Sequence, residues 1–167
     1  MTSDMTSDEI IRPAEDVLSR PEAPERLRDL DFMLGDFRVE YTNLTTNPPT
    51  TGTARWSAGP THRGHFVEML QNLPAHDITS RWIFGFNQRD DEFFSLYQDD
   101  WGNYARPTSP GWQDGHLRFT GDCFGFGMYI VTQEDFEIVD ENHYIKRSFI
   151  QNGDAWIPGD VINCYRI

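Results

Sequence analysis

Glu68 lies in residues 65–72, where a period of two sets Phe66, Glu68 and Leu70 on one side. A carboxyl among apolar side chains loses hydration in its charged form, so its pKa rises toward the range useful for general acid or base work. In the competing reading, Phe66 and Leu70 pack outside and Glu68 sits at a wet rim or pairs with Arg55. Arg55 belongs to the alternation over residues 53–58, where Thr53, Arg55 and Ser57 compete with Ala54, Trp56 and Ala58 for the inner face. An inward guanidinium there would be a permanent cation able to grip a carboxylate or enolate with a fork of donors. Near the C-terminus Ile145, Arg147 and Phe149 share one face and Tyr144, Lys146 and Ser148 the other, so one of the two cations should face inward. Tyr41 shares a face with Phe37 and Val39, and its buried ring would leave a hydroxyl in need of a partner. The candidate catalytic set is Glu68, Arg55 and Tyr41. Candidate substrate contacts are Trp56, Arg147, His65 and the aromatic residues Trp101, Tyr104 and Trp112.

Other chemistries find little support in the motifs. The five histidines (His62, His65, His76, His116, His143) are scattered, with no His-x-His, His-Glu-x-x-His or Cys-x-x-Cys, so neither a metal nor another cofactor is expected. Cys123 and Cys164 lack the spacing of a zinc site or a disulfide framework and read as reduced core thiols. Gly121-Asp122-Cys123-Phe124-Gly125-Phe126-Gly127 is glycine-rich but lacks the lysine and helix of a phosphate loop, so its glycines bend a strand. No Gly-x-Ser-x-Gly occurs. Thirteen of the fourteen basic residues are arginine, which makes Lys146 the only lysine able to form a Schiff base.

Strands are the elements that must position these groups. From Asp36 onward Phe37, Val39 and Tyr41 alternate with Arg38, Glu40 and Thr42, and the rhythm recurs over 53–58, 65–72, 79–87, 92–99, 116–121, 128–139, 143–151 and 156–166. Nine strands joined by short turns, with no helical crossover, fit an antiparallel meander that closes into a barrel. Residues 100–115 hold Trp101, Tyr104, Trp112, two prolines and three glycines, and read as a long loop that lids the cavity. Before the strands, Leu27, Leu30, Met33 and Leu34 recur at helical spacing, so one short helix is predicted over 25–34 with Gly35 at its end. Residues 1–20, with Met-Thr-Ser-Asp repeated at Met1 and Met5, read as a flexible acidic tail ahead of a single domain over 21–167.

The 167 residues carry 27 Asp plus Glu against 14 Lys plus Arg, a net charge of −13, which repels phosphate backbones and argues against nucleic acid and anionic membranes. Hydrophobic residues make up 38%, yet 14% are aromatic, enough for a packed core and against disorder of the whole chain. No apolar run approaches the roughly 20 residues that span a bilayer, and the first residues are acidic, so neither a membrane span nor a signal peptide is expected, and the location read from this is the cytoplasm. Aromatic residues over 82–94 outnumber what a small core needs, and a homodimer is expected from them.

The order of motifs resembles a family. Leu30-Asp31-Phe32-Met33-Leu34-Gly35-Asp36-Phe37 is similar to the Gly-x-Trp opening of lipocalin-like (calycin) barrels, with Phe37 where tryptophan is usual. Gly52-Thr53-Ala54-Arg55-Trp56, Gly64-His65-Phe66-Val67-Glu68, Gly85-Phe86-Asn87, Phe136-Glu137-Ile138-Val139-Asp140 and the closing stretch from Trp156 to Arg166 resemble a bacterial lipocalin-like family of unknown function, over residues 27–167. That resemblance implies an all-β antiparallel barrel of 8–10 strands, opened by a short N-terminal helix, around a cavity for a small-molecule ligand. It supplies no reaction. Acid and cation candidates beside shaping aromatics, without cofactor motifs, lead to the expectation of a cofactor-independent isomerase or cyclase acting on a small apolar, natural-product-like metabolite of secondary metabolism. The alternatives are a non-catalytic carrier or sensor in the same barrel, and an interaction module acting through the acidic tail.

Overall fold

The computed structural model describes residues 20–125 and 127–167. The tail expected over residues 1–20 lies, but for Arg20, outside the described residues. Among the described residues no helix is long and apolar enough to cross a membrane.

Leu27, Leu30 and Met33 fall three residues apart, and that spacing makes one continuous stripe only at three residues per turn. The segment Glu25–Met33 is accordingly a 3-10 helix that buries these three side chains. Its last carbonyls would be left without donors, and Arg166 from the far end of the chain supplies them, donating from Nη1 to Leu34 and from Nη2 to Phe32 at 3.1 Å. The same guanidinium lies 4.8 Å from the centroid of the Phe37 ring. Gly35 makes this possible: its φ is +118°, and a Cβ there would stand 2.6 Å from Arg166 Nη1. Gly35→Ala should therefore cost about 1–3 kcal/mol, measured as a lower urea midpoint. An unchanged midpoint would mean that Arg166 yields without loss and that the contact closes nothing.

Strands β1 (Gly35–Asn43), β2 (Thr50–Thr61), β3 (Phe66–Leu73), β4 (Ile78–Asn87) and β5 (Glu92–Asp99) form an antiparallel meander. After the short β6 (Tyr104–Ala105), β7 (Thr108–Ser109) and β8 (Trp112–Gln113), the meander resumes with β9 (His116–Gly125), β10 (Met128–Asp140), β11 (His143–Asn152) and β12 (Ala155–Arg166). β12 pairs with β1, from Phe37 opposite Arg166 to Asn43 opposite Asp160, and the sheet closes into a ten-strand barrel without free edges.

The long loop expected over residues 100–115 is corrected by the pairing. Tyr97 faces Ala105 and Phe93 faces Ser109 on one side, while Tyr104 faces Phe124 and Thr108 faces Thr120 on the other, so β6 and β7 together fill the tenth position between β5 and β9. Pro107 has no N–H to give the ladder, which breaks the strand in two and lets its composition pass for a loop. The ladder is bridged across the break: Ser95 N–H donates to the Pro107 carbonyl at 2.9 Å and Arg106 N–H to Asp122 at 3.1 Å. A segment stitched on both sides is wall, so the lid expectation does not hold for residues 104–109, while β8 pairs with β9 alone.

Inward side chains fill the end of the barrel near the 3-10 helix. Phe84, Phe119 and Phe136 meet edge to face at 5.5 and 6.1 Å, and Tyr144 packs on Phe32 and Phe37 at 5.2 and 5.1 Å. Of the aromatics from which pairing of two copies was expected, Trp82, Phe84 and Phe93 are buried in this barrel, and the ring of Phe94 covers Gly85 on the neighbouring strand.

Candidate functional site

Towards the other end the filling stops and a cavity of about 370 Å³ opens. Its aromatic lining comes from β1 (Tyr41), β2 (Trp56), the turn before β4 (His76), β4 (Trp82), β5 (Tyr97), the turn after β5 (Trp101) and β11 (Phe149). Tyr41 leans across the neighbouring strand onto Gly52, where a Cβ would collide with its ring.

Two polar systems interrupt this apolar lining. On β10, inward positions run Thr132, Glu134, Phe136; on β11 they run Tyr144, Lys146, Ser148. Antiparallel register sets Lys146 opposite Phe136 and Glu134 opposite Ser148, a diagonal that lets the two long side chains meet. Lys146 Nζ and Glu134 Oε2 form an ion pair whose side chains are 8% and 11% exposed. Below the ammonium lies the Trp82 ring, with its centroid 5.4 Å from Nζ. Trp82 is held in turn by Gln71, whose Oε1 accepts from Trp82 Nε1 and from Ser80 Oγ, both at 2.9 Å. Burial pushes the Glu134 carboxyl above its usual pKa, the charge and hydrogen bond of Lys146 pull it back, and the charge of Asp160 raises it further.

Asp99 organises the second system. Its two oxygens accept from Tyr97 OH at 2.8 Å, Asn103 Nδ2 at 2.8 Å, Asn103 N–H at 2.9 Å and Trp101 N–H at 3.0 Å. The Tyr97 hydroxyl proton is committed to that carboxylate, and burial followed by Asp99 pushes its pKa far above the physiological range. Tyr97 is thus a fixed wall rather than an acid. Cys123 also borders the cavity, and burial pushes its thiol up to about 11, so it stays protonated at neutral pH. Trp56 Nε1 is buried without a hydrogen-bond partner among the described residues. No group of three or more His, Cys, Asp or Glu among the described residues is placed to hold a metal ion.

Of the candidate catalytic and substrate-contact residues, Tyr41, Trp56 and Trp101 are brought together at this cavity, which Lys146, singled out from the sequence as the Schiff-base lysine, also borders. The others lie elsewhere. Glu68 is on the outer face of β3, because Val67, Met69 and Gln71 take the inner face, and it forms an ion pair with Arg81 of β4. Arg55 is exposed, since Ala54 and Trp56 point in. Arg147 also points outward, donating to Glu137 at 2.7 Å and holding that carboxyl below its usual range. His65 caps the short turn His62–Gly64 and does not border the cavity. Tyr104 stacks on Phe124 outside the wall at 5.6 Å. Trp112 packs on Phe32 at 5.4 Å and donates to the Asp29 carbonyl at 3.1 Å, at the closed end. Glu134, Gln71 and Asp99 were not foreseen; for Glu134 the available signal was its shared parity with Phe136, hidden in the polar run Gln133-Glu134-Asp135.

No family model matches the chain, and no curated protein matches it. Among solved structures the chain is similar to EF1p2_mFAP2b bound to DFHBI, at 13% identity over 86% of this chain and 100% of that chain, with a TM-score of 0.39.

Proposed function

We propose that the barrel, as a member of the lipocalin-like lineage its motifs resemble, admits a small, largely apolar metabolite and acts on it as a cofactor-independent isomerase or cyclase. Glu134 and Lys146 serve as the acid–base pair in place of Glu68 and Arg55. The observation that carries this reading is the ion pair buried in the wall of an aromatic cavity. Removing two charges from water costs several kcal/mol per ion, and an apolar pair of similar volume would hold such a wall at least as well. Lysine rather than arginine completes the argument. A guanidinium would fix the carboxylate as an anion for good, whereas an ammonium can share its proton with it.

A bicyclic ketone such as β-tetralone is small enough for the cavity and reports the chemistry directly. In deuterated buffer the protein should accelerate exchange of the α-protons, and naphthalene, an inert occupant of the same space, should suppress the acceleration. The carrier reading has its own support, in that the pair is closed on itself and Asp99 is already fully bonded. β-Tetralone bound without faster exchange would decide for the carrier. Pairing of two copies is retained as a proposal through Leu70 and Leu96, exposed on the outer face of β3 and β5, and sedimentation as a monomer would remove it.

A further inference from the structure

We propose that Lys146 captures an aldehyde or ketone ligand covalently as a protonated imine, with Glu134 first carrying the protons and then serving as counterion. The inference rests on the cavity being the ligand site and names the class of ligand that site takes. Lysines ordinarily keep their ammonium in water. In this chain the one lysine is 6% exposed and borders a cavity large enough for a bicyclic carbonyl compound.

A lysine becomes a nucleophile only by giving up a proton, and here the acceptor is already in contact. In water that transfer is uphill by about six pKa units, the gap between the ordinary values of lysine and glutamate. In a site of low dielectric the neutral pair gains, because the transfer removes two buried charges at once. Burial acts on Glu134 in that direction. Cys123, the competing nucleophile on the same wall, keeps its proton at neutral pH.

The atoms balance without any outside reagent. Lys146 passes a proton to Glu134, and the freed Nζ lone pair forms a bond to the carbonyl carbon while the C=O π pair moves to oxygen. Glu134 returns its proton to that oxygen, giving the hydroxyl of a carbinolamine, then takes one of the protons on Nζ. It delivers this proton to the hydroxyl, which leaves as water while the nitrogen lone pair forms the C=N bond. The product is an iminium cation beside the Glu134 carboxylate. One cation has replaced another over the Trp82 ring, so capture leaves the buried pair intact.

The full chain incubated with naphthaldehyde and sodium cyanoborohydride should gain the mass of one naphthylmethyl group, mapped to the peptide containing Lys146 and not to the amine of Met1. Labelling should run about 10²-fold faster than on a free acetyl-lysine amide, and Glu134→Gln, which keeps the lysine, should remove most of that advantage. Lys146→Arg should leave the peptide unlabelled, with circular dichroism confirming the barrel. If that variant does not fold, suppression of wild-type labelling by naphthalene decides. Label on Met1 alone, or on Lys146 no faster than on the free amide, would overturn the imine. Binding of naphthalene itself, seen as quenched tryptophan fluorescence, separates the two failures: without it the cavity reading falls, and with it but without label only the imine falls.

Discussion

Lys146→Met should lower the unfolding free energy by about 3–5 kcal/mol, while Lys146→Met combined with Glu134→Leu should return to within about 1 kcal/mol of the parent or exceed it. The asymmetry follows from where the cost lies. With Lys146 removed, Glu134 keeps its desolvation and loses its only ion-pair partner among the described residues, and it must either remain an unpaired buried charge or take up a proton. With both removed, two apolar side chains of similar volume meet Phe136, Trp82 and Ile162 and leave nothing unpaired. The residues touch, so their effects should not add, and the coupling from the four-member cycle is the quantity to measure in urea. A single variant within about 1 kcal/mol of the parent would mean that water reaches the pair, and the argument for a dry acid–base site would fail with it.

The barrel was legible because its strands alternate, and all nine stretches with a period of two became long strands. The tenth was hidden because Pro107 breaks its ladder and Gly121 leaves room for the proline backbone, which a Cβ would approach to 2.6 Å. Composition alone reads such a strand as a loop. The 3-10 helix shows the opposite case, where a spacing of three in Leu27, Leu30 and Met33 already held the geometry.

Face assignment is where the sequence ran out. On β3 both faces are apolar, with Phe66 and Leu70 outside and Val67 and Met69 inside, so parity leaves both readings of Glu68 open and the outward one holds. The choice is made by neighbours: Met69 faces Trp82 across the ladder, and Glu68 can reach Arg81 only on the outer face. On β11 the strand reading correctly required one inward cation, and the core residue Tyr144 selects Lys146 over Arg147. A buried ion pair needs two strands brought into register, and that information belongs to the sheet and not to either segment.

Glu134→Gln should slow the exchange of β-tetralone protons by about 10²–10⁴ while leaving its affinity close to that of the parent, since the amide keeps the shape and an acceptor for Lys146 but cannot take a proton. The parent rate should also rise with pH through the folded pKa of Glu134, which burial places above the ordinary value of 4.5. In the variant that limb should vanish. Stability gives an independent reading with the opposite sign. A carboxyl whose folded pKa is raised binds its proton more tightly folded than unfolded, so its contribution is fully present below the unfolded pKa and is lost as pH rises through the folded one. The stability of the parent relative to Glu134→Gln should therefore be greatest in acid and decline through that window, against the trend of the rate. A rate limb without the matching decline would place the titrating group elsewhere, and a decline without the limb would leave Glu134 buried and titrating but idle, as a carrier requires.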